Sequence, residues 1–337
     1  MAVQEIASGV FRLVLPLGIH GMPSVNGYLL ADDGGDTLVD CGIAVLDPEG
    51  DRAGDDGTAP LEKALAECGR SFDDLSRLVI THAHIDHFGV AGEVVRRSDA
   101  DLWMHTDTDR DLAKYEDPSR AVDRRALMLA DHGLYGEDLD EASVGLRHWM
   151  PVMPSIGRPS RLLSGGETFS AGGREWTVVP TPGHSPGHIC VWSAGERMLC
   201  SGDHLLRDVS PPVTFERGFE RDPMGSFLAS LALVQELDPA LVLPGHGETF
   251  ADGSGRAAVI EGKKRRRLDK LMGLLEGPEM TVADITTALF GPQPNGTRLH
   301  FAMAEVLAYL AYFEVRGEAE RHRDRAGIYR WRAVESV

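Results

Sequence analysis

Cysteine is scarce in this chain. Four of its 337 residues carry a thiol (Cys41, Cys68, Cys190 and Cys200), and no two are spaced as CxxC. That argues against a disulfide scaffold, and the apolar surroundings "HICVW" and "RMLC" read as buried, reduced thiols at Cys190 and Cys200. Long hydrophobic runs are missing too: no apolar segment approaches the roughly 20 residues that a membrane-spanning helix needs. The opening stretch "MAVQEIASGVFRLVLPLG" does not read as a signal peptide, because Glu5 stands where positive charge is expected and Arg12 interrupts the apolar run. Positive charge is short as well: 34 Lys and Arg against 52 Asp and Glu leave a net −18. Such a balance disfavours non-specific binding to nucleic acid or a membrane surface, although a local basic patch could still do either. A cytoplasmic chain with no membrane partner is the expectation.

What the chain does have is enough apolar material, 42%, for a large core and a second, smaller one. Strands are expected at "GVFRLVLPL", "NGYLLAD" and "DTLVDCG", a helix at "APLEKALAECG", and then a strand, "LSRLVI", running into "THAHIDHFG". Residues 106–160 break the rhythm with helical pattern and then Met, Trp and Pro, which predicts an insertion able to lie over a site. Strands resume from "EWTVVP", and "ALVLPGHGET" is a last strand ending in a histidine loop. From about residue 256 three helices and a hairpin joined by "DRAG" suggest a winged-helix-like unit, with Thr281 and Asp284 at capping-box spacing. The expected domains are therefore 1–255, catalytic, and 256–337, winged-helix-like.

Four strand-end segments hold residues able to bind a metal: "THAHIDH", "TPGHSPGH", "SGDH" and "LPGHGE". Taken singly, "PGHG" is more often a turn with a surface histidine, and "SGDH" means little. Three histidines and an aspartate crowded into one short loop are different. His82 and His84 are two apart, so a tight loop can aim both imidazoles at one ion, while Asp86 and His87 face a second. His184 can complete the first group and His246 the second, and the Asp203 carboxylate can bridge them. Five imidazoles and two carboxylates suit zinc, iron or manganese, with zinc the leading choice.

On these motifs the chain resembles metallo-β-lactamase-fold hydrolases, nearest the glyoxalase II-like branch, over residues 10–255. The resemblance implies an α/β, four-layer αβ/βα sandwich with a two-metal site at one edge. It also implies that Asp40 in "LVDCG" anchors a ligand from behind; an ordinary strand-end turn is what the sequence alone would favour. His188 is expected to support the site in the same way. A water held between two divalent cations loses a proton near neutral pH and becomes a nucleophile, and Asp86 can orient it and relay its proton.

The leading expectation is hydrolysis of an acyl thioester, a lactone or a related ester of small size. Single-strand RNA cleavage by the same fold ranks second, and a persulfide dioxygenase third. The basic run "GKKRRR" places Lys264 and Arg267 on the apolar stripe of a helix, which predicts that one or both point to the site and meet an anionic substrate group. Trp149, in "RHWMPVMP", is a candidate wall for an acyl chain. The apolar third helix of the C-terminal unit could bury itself within the chain or against a second copy.

Overall fold

The computed structural model describes residues 3–19, 22–44, 57–149, 152–153, 155–293 and 296–334; at 19 and 145–149 only the backbone is described. A first sheet of seven strands runs in chain order: β1 (Val3–Ala7), β2 (Val10–Ile19), β3 (Met22–Leu30), β4 (Asp36–Val39), β5 (Leu75–Ile80), β6 (Asp101–His105) and β7 (Arg161–Leu163). Its first four strands are antiparallel, and β4 to β7 are parallel. A second sheet holds β8 (Thr168–Ala171), β9 (Arg174–Pro180), β10 (Ile189–Ser193), β11 (Met198–Gly202), β12 (Leu241–Pro244) and β13 (Phe250–Ala251), with only β11 and β12 parallel. A separate hairpin pairs β14 (Ala319–Arg323) with β15 (Tyr329–Ala333).

Alternation along the strands explains the layering. In β5, Val79 points between the sheets while Leu78 and Ile80 point to the other side. In β10, Ile189 and Val191 point inward while Cys190 and Trp192 point outward. A strand apolar on both faces must be covered on both, and helices do the covering. Outside the first sheet lie α1 (Ala59–Glu67), the short α2 (Ile85–Phe88), α3 (Ala91–Ser98) and α4 (Thr106–Glu116). The insertion continues with α5 (Pro118–Asp131) and α6 (Gly136–Trp149). Outside the second sheet lie α7 (Pro223–Leu237) and the C-terminal helices α8 (Gly253–Leu275), α9 (Val282–Phe290) and α10 (Gly296–Arg316). The result is a four-layer α/β sandwich. Its centre is the inter-sheet core around Trp176, Trp103 and Tyr28, where each large side chain fully buried contributes roughly 1.5–3 kcal/mol.

The strands β7 and β8, three and four residues long, are too short for their pattern to be read from sequence. Helix α8 runs unbroken across residue 255, so the expected domain boundary falls inside a helix. The three helices and hairpin of the C-terminal unit are present, and α9 begins with the expected capping box: Thr281 Oγ1 accepts from Asp284 N at 3.1 Å, and Asp284 Oδ2 accepts from Thr281 N at 3.0 Å. The third helix, α10, is buried on nearly every side between Met303 and Ala311, packing on α6, α7, α9 and β14 within the chain. No helix among the described residues is long and apolar enough to cross a membrane.

Candidate metal centre

The loops after β5, β9, β11 and β12 open at one edge of the sandwich. The backbone sorts the first cluster into two pairs. His84 is the last extended residue before α2, whereas Asp86 and His87 stand in its first turn, so the switch to helix turns the second pair away from the first. His82, His84, His184 and Asp203 each offer one ligand-type atom, all within 4.8 Å of one another, and Asp86, His87 and His246 do the same beside them. Asp203 touches both groups. Its Oδ2 lies 3.8 Å from His184 Nε2 and 3.4 Å from His246 Nε2, and its Oδ1 lies 3.5 Å from His87 Nε2. His184 Nε2 and His84 Nδ1 face each other at 3.0 Å, close to the spacing of about 3.3 Å that two nitrogens of one tetrahedral zinc would have.

The atoms that meet at the centre fit a cation on a second ground. His82 Nε2, His87 Nε2, His246 Nε2 and Asp203 Oδ1 are buried without a hydrogen-bond partner among the described residues. Three of these atoms lie 3.1–3.5 Å from a partner of opposite charge without making a well-formed hydrogen bond, and such unsatisfied buried atoms cost about 1–3 kcal/mol each, which a bound cation would offset.

What stands behind each ring fixes its orientation. His87 Nδ1 donates to Asp40 Oδ2 at 2.7 Å, His184 Nδ1 to the Pro212 carbonyl at 2.8 Å, and His246 Nδ1 to the Ser24 carbonyl at 2.9 Å. Thr81 Oγ1 donates to Asp40 Oδ2 at 2.8 Å, so it can only accept from His82 Nδ1, 2.9 Å away. In all four rings a proton is held on Nδ1 and Nε2 faces inward. Asp40, in the left-handed region at φ 59°, also accepts from Thr81 N at 2.8 Å. His188 Nδ1 meets Thr181 Oγ1 at 2.8 Å, and its Nε2 accepts from Asp203 N at 3.2 Å, which holds the bridging carboxylate by its backbone. Gly245 admits no side chain: a Cβ there would lie 2.4 Å from Asp203 Oδ1 and 2.7 Å from His87 Cε1.

The electrostatics of the two groups differ. Burial, reinforced by neighbouring imidazoles, pushes His82 and His84 well below the usual histidine range, and burial lowers His184 as well. Burial also opposes charge on His87, but Asp203, Asp40 and Asp86 outweigh it and push that ring up to about 10. His246 goes up to about 12 under the pull of Asp203 and Asp86 against its burial. Asp86, whose burial alone would raise it, is brought down to about 2 by His87 and His246. A concentrated negative field surrounds the second group, and it calls for positive charge.

Several supports carried no signal at the sequence level. Asn26 Nδ2 donates to the carbonyls of Pro244 and Gly247, both at 2.8 Å, and its Oδ1 accepts from Arg12 Nε at 3.0 Å. Tyr28 Oη donates to Pro244 O at 2.8 Å. Together they hold the loop of His246 from across the sheets. Phe301, 36% exposed and edge-on to His84 at 6.2 Å between ring centres, flanks the centre with apolar surface. It lies off the apolar stripe of α10, and that was the signal to follow.

The expected substrate contacts fare differently. Lys264 does not reach the centre as an open cation. It is fully buried, and its Nζ donates to Glu305 Oε1 and to the Pro211 carbonyl, both at 2.6 Å. Arg267 also pairs with Glu305, at 3.2 Å. The apolar stripe tolerates these cations because α10 brings an acid to them. The Trp149 side chain lies outside the described residues; nearby Met153 packs in the core behind the first sheet.

Two paired sheets with clustered histidine and aspartate donors at one edge, able to hold a metal, define the class of protein. Residues 20–246 match the family model of the metallo-beta-lactamase superfamily, and the chain belongs to that superfamily. Residues 268–334 match a metallo-beta-lactamase-like C-terminal domain. A probable metallo-hydrolase of Bacillus subtilis, YqjP, is 23% identical over 75% of this chain and 79% of its own length. An atrochrysone carboxyl ACP thioesterase of Aspergillus fumigatus is 27% identical over 61% of this chain, which spans 55% of that protein. Among solved structures, a metallo-beta-lactamase family protein of Thermus thermophilus superposes with a TM-score of 0.82 at 27% identity, covering 98% of this chain and 100% of that one. A beta-lactamase domain protein of Burkholderia ambifaria gives 0.83 at 28% identity, covering 98% and 94%.

Proposed function

We propose that the protein is a dinuclear metal-dependent hydrolase of the glyoxalase II-like branch that cleaves an acyl thioester, a lactone or a related ester. The observation that carries this reading is the pair of ligand groups sharing Asp203. His82, His84, His184 and Asp203 would hold one divalent ion, and Asp86, His87 and His246 the other, zinc being the first choice for these donors and iron or manganese compatible with them. Such ions supply Lewis acidity and a water of lowered pKa. Asp86 keeps a partly open carboxylate, 15% exposed, and sits 3.1 Å from His246, so it can orient a water and take its proton. His84 and Phe301 border the open side, where an acyl group would lie against the ring. The similarity to an acyl carrier protein thioesterase supports a thioester over other esters.

RNA cleavage, the second expectation, gains no support. In "GKKRRR", Lys264 and Arg267 pair with Glu305, and Arg265 pairs with Glu261 at 2.8 Å. Trp331 is 1% exposed and offers no stacking platform. A second complete ligand group likewise favours two ions over the single iron of a persulfide dioxygenase. We read the C-terminal helices and hairpin as a winged-helix-like support, and the free, mostly buried thiols as fitting the cytoplasm.

The test is hydrolysis by metal-loaded protein of matched substrates: an acyl-coenzyme A, an acyl-glutathione, a lactone and a single-stranded RNA. Acyl turnover that disappears in Asp203→Ala is the expected result. No turnover of any acyl substrate would sink the reading, and RNA cleavage alone would replace it.

A further inference from the structure

A lysine with no solvent at its ammonium must be paired, because burying such a charge alone is strongly unfavourable. Lys264 on α8 is paired, with Glu305 on α10, whose Oε1 also accepts from Tyr309 Oη at 2.9 Å and Arg267 Nη1 at 3.2 Å. The remaining contact of Lys264 Nζ is the one that matters here: it donates to the Pro211 carbonyl at 2.6 Å. Pro211 lies in the stretch between β11 and α7, which has no regular structure of its own. The very next carbonyl, that of Pro212, is the acceptor that holds His184 Nδ1.

Two successive prolines make that stretch stiff. Each ring locks φ near −65°, so between the Pro211 carbonyl and the Pro212 carbonyl the backbone has one soft dihedral, ψ of Pro212. The stretch grips the His184 loop twice more, with Thr214 Oγ1 donating to His184 O at 3.0 Å and Thr214 N to Gly183 O at 3.3 Å. On its other side, Phe215 N donates to Ala304 O of α10 at 3.2 Å. The segment 211–215 is thus clamped between the C-terminal helices and a single ligand loop.

We propose that Lys264 is a positioning residue for His184, and that through it α8 and α10 set the geometry of one ligand group and not the other. The proposal rests on the reading of His184 as a metal ligand. The second group is supported by Asp40 behind His87 and Ser24 behind His246, neither of them in the C-terminal unit, and Asp40 reaches the first group only at His82, through Thr81.

The experiment titrates metal-free, full-length protein with Co(II), following uptake by calorimetry and the visible spectrum. Wild type should show two binding steps. In Lys264→Met paired with Glu305→Gln, which removes both charges together, one step should weaken by about 10–100-fold, the range typical when a ligand's supporting partner is lost, with a changed spectrum for that step alone. A ¹⁵N-histidine spectrum supplies a readout independent of metal: the His184 Nδ1 proton should exchange faster in the variant. Should the double variant melt early in its metal-free form, Thr214→Val, which loosens the same clamp without touching the buried charges, should weaken the same step to a lesser degree. Two unchanged steps in variants that fold, or both steps weakened equally, overturn the proposal. A wild type that takes up no cobalt overturns the site reading itself and the proposal with it.

Discussion

The two halves of the metal centre are built from the same residue types and held in opposite ways. The group of His82, His84, His184 and Asp203 keeps its imidazoles neutral through burial and mutual repulsion, and a hydroxyl and a backbone carbonyl steady His82 and His184 from behind. The group of Asp86, His87 and His246 is wrapped in carboxylates, with Asp40 behind His87 and both Asp86 and Asp203 beside it. One half therefore offers three neutral imidazoles beside the shared Asp203 carboxylate, and the other is a negative field. Neutral imidazoles bind a cation without first giving up a proton, whereas the charged half, with His87 near 10 and His246 near 12, must release one from each ring.

The most damaging change should be Asp203→Ala, because it touches both halves. Metal analysis should find both groups depleted, and hydrolysis should fall by more than the 10–100-fold that losing a supporting partner brings. A variant retaining one full equivalent of metal at wild-type affinity would mean that the halves are independent. Next comes Asp40→Asn, which keeps the size and removes the charge behind His87. The step of the group that holds His87 should weaken by about 10–100-fold and the other by less, since Asp40 reaches His82 only through the Thr81 hydroxyl. Equal weakening of both would erase the distinction. Gly245→Ala is the steric counterpart: a methyl 2.4 Å from Asp203 Oδ1 and 2.7 Å from the His87 ring forces a shift on each side. Its cost, of the order of 1–3 kcal/mol as for overpacking elsewhere, should appear in melting curves of metal-free protein and in the loss of metal from both groups.

The smallest effect separates the centre from the seam that supports it. His132 ends α5, stacks on Tyr329 of the hairpin at 5.2 Å, and accepts at its backbone carbonyl from Ala283 of α9. Burial, helped by Arg321, pulls its pKa down to about 4. The folded protein then binds fewer protons at this ring than the unfolded chain does. The resulting stability is fully present above pH of about 6.5 and drains away as pH falls towards 4, by about 3 kcal/mol at most. Urea unfolding of metal-free protein at pH 7 and pH 5 should show this loss in wild type and a smaller one in His132→Phe. Equal losses in the two would acquit His132.

Legibility in the sequence followed distance along the chain. Four ligand-type residues within six positions announced themselves, and the later histidines and Asp203 stood at strand ends where functional loops gather. Their supports did not. Asn26 holds the His246 loop from more than 200 residues away, and nothing near it in sequence points there. Lys264 was visible as a cation on an apolar stripe, but periodicity says which residues share a face and never what meets that face. The missing clue lay in "AMAEVLAY", where Glu305 is an acid inside an otherwise apolar helix. Two exceptions of opposite sign on two helices of one unit are better paired with each other than with a substrate.

The centre draws His82 to His87 from the loops of one sheet and His184, Asp203 and His246 from those of the other. In polymer terms, an ion joining them is a reversible cross-link closing a loop of about 120 residues in the first group or 160 in the second. By the chain-entropy argument used for disulfides, tying a loop of that order removes about 5 kcal/mol of freedom from the unfolded ensemble. The ion is thus a fastener in a chain that has almost no cysteine to spare for one, and a chelator should leave the two sheets easier for a protease to prise apart.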